Sequence, residues 1–113
     1  SGSTTITIQS RSQLKILLTR KWEDMKTALM AGNIDSALTY FIDGSQSKYQ
    51  AVFTSMGAEK IKAIFPGLVS IEVTKVYGKV ASCGIIRYED GVPYSYPLVF
   101  IQDNNGIWKI LGL

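Results

Sequence analysis

Val69-Ser70-Ile71-Glu72-Val73-Thr74 places an aliphatic side chain at every second position with a polar one between. That period of two marks a strand with one buried face. Upstream the rhythm is different. From Gln13 to Ala31, Leu14, Leu18, Trp22, Met25 and Leu29 recur at steps of four, four, three and four, which draws one apolar stripe along a helix. The period changes at Pro66-Gly67, so the chain divides into a helical half and a sheet half, and the expected fold class is α+β.

Downstream of Thr74 the turn signals are regular. Gly78-Lys79 can turn the first strand into a second over Val80 to Tyr88, and Asp90-Gly91 is a tight-turn dipeptide. Pro93 to Gln102 reads as a third strand, and Asp103-Asn104-Asn105-Gly106 as a turn into a fourth over Ile107 to Leu111. The result is a four-stranded antiparallel meander. Pro93 and Pro97 lack an amide donor, so that stretch belongs at a strand start, at a bulge, or with those positions on an unpaired side.

In the helical half, Ser12 is placed to cap the first helix and Gly32 to end it. Asn33 can then cap a short second helix through Asp35, Leu38 and Phe41. Ser47-Lys48-Tyr49-Gln50 has the spacing of a capping box, which predicts a third helix starting there with the stripe Tyr49, Val52, Phe53 and Met56. Gly57 interrupts it, and a last helical stretch through Ile61, Ile64 and Phe65 stops at Pro66-Gly67.

Residues 1–12 stand apart from the single domain expected over residues 13–113. Ser1-Gly2-Ser3 looks like an expression remnant, and Thr4-Thr5-Ile6-Thr7-Ile8 alternates as a strand would. That strand either joins this domain at an edge or ends a preceding one. Its Thr-Ile alternation resembles the closing strand of bacterial immunoglobulin-like repeats. The resemblance implies an excised module of a larger exported protein, extracellular or periplasmic, with a cytoplasmic location left open.

The order of three helices and a bent meander ending in Asn105-Gly106-Ile107-Trp108-Lys109-Ile110 resembles the nuclear transport factor two superfamily of cystatin-like cone folds. In that superfamily Gly-x-Trp-Lys-Ile commonly forms the final strand, and Ala31 to Phe41 looks like the start of its second helix. The likeness covers roughly residues 13–113. It implies N-terminal helices packed in the concave face of a bent four-stranded sheet, and dimerisation through the sheet face. Independently of it, a helix with a single apolar stripe must lie on something, and the sheet is the surface available. Trp108 and Ile110 share one side of their strand and should join Leu18 and Trp22 in one core.

Composition removes several functions. With 46% hydrophobic and 19% charged residues the chain is too apolar to be disordered, and it has no uncharged run long enough for membrane insertion. The net charge of +3 is scattered, with Arg20-Lys21 its longest basic run, so nucleic acid is not an expected partner. The single cysteine, Cys83, excludes an internal disulfide and reads as a small core residue.

The chain contains no histidine, which removes Ser-His and Cys-His nucleophiles and His-ligated zinc. No phosphate-cradling glycine string occurs, and no metal or cofactor is expected. Carboxylate and tyrosine chemistry inside an apolar cone would remain, as in ketosteroid isomerase of the resembled superfamily, but Asp43 and Asp90 each precede glycine and read as helix-end or turn formers. The leading expectation is therefore a non-catalytic accessory or interaction module. The alternative is a small-molecule binding domain holding an apolar ligand, and more remotely an isomerase or lyase of the ketosteroid isomerase type, with Trp22, Tyr40, Tyr88, Tyr96 and Trp108 as candidate ligand-binding residues. Tyr88, Tyr94 and Tyr96 flank the Asp90-Gly91 turn and could equally form a homodimer patch, while Arg87 and Glu89 read as members of a cross-strand charge pair.

Overall fold

The computed structural model describes residues 11–113, so the Thr4-to-Ile8 alternation lies outside the described residues. Three helices, α1 (Arg11–Met30), α2 (Ile34–Leu38) and α3 (Asp43–Ile64), lead through a 3-10 turn (Phe65–Gly67) into β1 (Ser70–Tyr77), β2 (Val80–Glu89), β3 (Val92–Gln102) and β4 (Trp108–Gly112). The strands form one antiparallel sheet in the order β1-β2-β3-β4. This is the α+β arrangement expected from the change of period. Register shifts at Val73/Lys75 and Val99/Phe100 put bulges in both outer pairings, where an extra residue bends and twists the sheet.

All five predicted stripe residues of α1 are buried. The helix stops where a left-handed residue was expected: Gly32 has φ 84°, its amide bonds the Leu29 carbonyl, and the Asn33 amide bonds the Ala28 carbonyl. These paired reverse bonds satisfy carbonyls that the helix end would leave open. Asn33 Oδ1 then accepts the Ser36 amide at 3.2 Å and caps α2. Ser12 lies inside α1 and does not cap it.

The third helix starts earlier than the capping box implied. It runs from Asp43, so Ser47 is an interior residue. Tertiary bonds fix the earlier start: Ser45 Oγ donates to the Leu111 carbonyl at 2.7 Å, and Gln46 Nε2 donates to the Leu38 and Phe41 carbonyls. The shift also moves the buried face to Ser45, Tyr49 and Phe53, spaced by four, and leaves Val52 exposed on its shoulder. Gly57, at φ 78° and ψ 161°, breaks the helix as expected, since only glycine enters that region readily.

The core is one cluster in which Trp22 and Trp108 both take part. A chain of aromatic contacts runs through it: Tyr49 with Phe41 at 4.8 Å, Phe41 with Phe53 at 5.8 Å, Phe53 with Phe65 at 6.1 Å, and Phe65 with Trp22 at 6.2 Å. Lys26 is buried beside it, which the sequence did not suggest. Its ammonium donates to the Leu68 carbonyl at 2.9 Å and pairs with Glu23 at 3.1 Å, so the charge is not stranded.

The sheet is also tied back to the helices at its far edge. Phe41 forms a parallel bridge with Ile110, through the Ile42 amide to the Ile110 carbonyl at 2.9 Å and the Ile110 amide to the Tyr40 carbonyl at 2.7 Å. The turn before β4 is held by Asp103, whose Oδ1 accepts the Asn105 and Ile107 amides. Those amides, Ile107 foremost, and the nearby Lys109 and Lys21 hold its carboxyl below the usual range.

Register explains the two prolines. The Gln102 amide donates to the Lys79 carbonyl, so even-numbered amides of β3 face β2 and odd-numbered ones face away. β4 covers only Val99 to Gln102 of that outer side. Over the uncovered stretch the outward positions are Pro93, Ser95 and Pro97, and two of the three have no donor to offer.

Two outcomes follow. Trp108→Ala should cost about 3–5 kcal/mol of unfolding free energy in urea titration; native-like stability would contradict its place in the shared core. Replacing Pro93 and Pro97 together by alanine restores two outward donors on an open edge, and sedimentation should show more self-association than for the native chain.

Candidate functional site

Side chains at paired positions of an antiparallel sheet share a face. Ile85 pairs with Tyr96 and Arg87 with Tyr94, and since Ile85 is buried, Arg87, Tyr94 and Tyr96 face the helices. Beyond Ile85 the strands run past the helical cover, and between them and the 3-10 turn a pocket of about 390 Å³ opens. Trp22 forms its floor, Ile64 and Leu68 one wall, and Ile85, Tyr96 and Arg87 the other. Leu68 is fixed by two donors from α1, because its carbonyl accepts both the Lys26 ammonium and the Trp22 indole N–H, the latter at 3.4 Å.

The pocket is apolar apart from two groups. Tyr96 directs its hydroxyl toward Glu89 Oε1 at 3.5 Å. Arg87 passes over the 3-10 turn, with Nε 3.9 Å from where a Cβ on Gly67 would stand, and among the described residues it makes no ion pair. It is therefore not half of a cross-strand charge pair. Its cross-strand neighbour is Tyr94, that of Glu89 is Val92, and the two charges follow one another on a single strand.

Of the five predicted ligand-binding residues, Trp22 and Tyr96 meet at this pocket. Tyr88 pairs with Pro93 on the opposite face of the sheet and is 61% exposed. Trp108 is in the core beside Ile110, and Tyr40 packs partly buried against that core while its carbonyl serves the β4 bridge. Neither lines the pocket. Likewise Tyr88 does not share a face with Tyr94 and Tyr96, so the three do not make one patch. Arg87, Ile85 and Leu68 were missed as site residues; counting back from the Asp90-Gly91 turn would have set Arg87 opposite Tyr94. A larger hollow of about 700 Å³ is bounded, among the described residues, by one face of α1 around Ile16 and Thr19, with no second element to shape it.

The chemistry on offer is limited. Asp43 lies exposed in the first turn of α3 and Asp90, at φ 53°, in the β2–β3 turn, both away from the pocket. Among the described residues no group of three acidic, cysteine or histidine side chains is placed to hold a metal ion. No described helix is long and apolar enough to cross a membrane. Cys83 is buried on the core face opposite Leu98, and burial pushes its thiol from the ordinary 9.0 up to about 11. The fold holds the protonated form, whereas an unfolded chain releases the proton near 9.0. The thiol's contribution to stability is thus intact below pH 9 and declines between pH 9 and about 11. Across that window the urea midpoint of the native chain should fall more steeply than that of Cys83→Ala, and at pH 8 a thiol reagent should label Cys83 only as fast as the chain opens.

The chain matches no protein-family model, no curated protein and no solved structure.

Proposed function

We propose that this domain is a non-catalytic binding module that holds a small, largely apolar molecule between the 3-10 turn and the projecting ends of β2 and β3. The observation that carries the reading is the pocket of about 390 Å³ floored by Trp22 and walled by Ile64, Leu68, Ile85 and Tyr96. Its volume falls in the range of small-ligand sites, and its apolar walls with a few polar groups have their usual composition. The Leu68 side of the pocket is held to α1 by two hydrogen bonds, so that wall is in place before a ligand arrives. The lack of histidine and the positions of Asp43 and Asp90 support binding over proton transfer.

A protein-interaction role, as part of a larger exported protein related to the cystatin-like cone folds, is the second reading. It is favoured by the exposure of Tyr77 and Tyr88 on the face of the sheet away from the helices, at 56% and 61%.

Titration of the isotope-labelled chain with a neutral apolar dye separates the two readings. Binding in the pocket should move the Trp22 indole N–H resonance and the Ile85 amide while leaving Trp108 nearly unchanged, and Tyr96→Ala should weaken it on the order of tenfold, or about 1.4 kcal/mol. Absence of binding, or shifts confined to Tyr77 and Tyr88, would overturn the pocket reading.

A further inference from the structure

Arg87 is an unusual wall for an apolar cavity. It lines the pocket with Trp22, Ile64, Leu68, Ile85, Tyr96, Pro97 and Leu113, the residue as a whole is part-buried, and no carboxylate pairs with it among the described residues. The carboxylate nearest in sequence on the same face, Glu89, lies against the Tyr96 hydroxyl at 3.5 Å. A guanidinium keeps its charge at all ordinary pH values and offers a planar fork of donors that fits a carboxylate two bonds at a time. In a partly desolvated setting such a contact is worth more than on an open surface, because water competes for it less.

Resting on the pocket reading above, we infer that the ligand is an amphipathic monoanion, a free carboxylic acid with an unbranched or aromatic apolar body. Its head pairs with Arg87, and its body lies along the accessible Ile64 and Tyr96 walls above the buried Trp22. The volume of about 390 Å³ holds roughly a dozen water-sized groups at about 30 Å³ each, which suits a medium-chain acid better than a long one. The Tyr96 hydroxyl is on the same face and would have to turn its proton from Glu89 Oε1, now 3.5 Å away, to donate to the carboxylate head.

The test compares octanoate with 1-octanol, which share a chain and differ in charge, by calorimetry on the full chain. Octanoate should bind at least tenfold more tightly than octanol. Arg87→Gln should lower octanoate affinity at least tenfold more than it lowers octanol affinity, and Arg87→Lys should keep only part of the preference, since an ammonium lacks the fork. Thermal melts of both variants report any packing lost with the Arg87 stem over the 3-10 turn, and Arg87→Lys, which keeps most of that stem, separates such a loss from loss of the fork. Equal binding of octanoate and octanol, or an undiminished preference in Arg87→Gln, would overturn the anion inference and leave the pocket reading standing. Failure of both probes to bind would overturn the two together.

Discussion

The carbonyl of Leu68 accepts hydrogen bonds from both Trp22 and Lys26, and in doing so it fixes where the helical half passes into the sheet. A carbonyl has two lone pairs, and leaving it unmatched in an apolar interior would cost on the order of 1–3 kcal/mol. Here both donors come from one helix, one turn apart, so satisfying the carbonyl sets the height and rotation of α1 against the 3-10 turn. Rotating α1 by a quarter turn would break both bonds and lift Leu14, Leu18 and Met25 off the sheet at once. Packing and polar satisfaction therefore select the same arrangement, which is the condition for a single well-defined native state.

A second tie acts at the opposite edge. Tyr40, Ile42 and Ser45 exchange bonds with Ile110 and Leu111, and Lys109 donates to the Thr39 carbonyl at 2.6 Å. The α2–α3 connection thus closes the free edge of β4. With α1 anchored at Leu68 and α3 anchored at β4, the aromatic chain from Tyr49 to Trp22 spans the distance between the ties. What projects beyond both is the β2–β3 end, and the pocket lies where the pinned core gives way to that overhang.

Most of the architecture was legible in local pattern because the signals were local: period two from Val69, the Asp90-Gly91 turn, and the Gly32 and Gly57 interruptions. The misplaced start of α3 has a different cause. Ser47-Lys48-Tyr49-Gln50 fits a capping box in isolation, but Ser45 and Gln46 find partners 66 and 8 or 5 residues away, and such bonds cannot be read from spacing. Lys26 escaped notice for the same reason, since its partner is a carbonyl 42 residues on. For the site, Trp22 and Tyr96 were legible as aromatics of the right kind. Separating Tyr88 from them required strand register, and a shift of one residue exchanges the faces of a whole strand. Arg87 stands out only once that register, countable from the Asp90-Gly91 turn, sets it opposite Tyr94.

Apolar walls and the one cation among the described residues that line the pocket together bear on what kind of site this is. Proton transfer would need a base whose affinity is tuned by its surroundings, and the group this fold tunes strongly is the Cys83 thiol, raised to about 11 and set deep on the core face away from the mouth. A thiol held protonated is neither nucleophile nor base at neutral pH. A guanidinium contributes by attraction and orientation and not by exchanging protons. On the proposed reading, apolar walls would take up a ligand's body and a permanent charge would orient its head, which are tasks of binding and not of proton transfer.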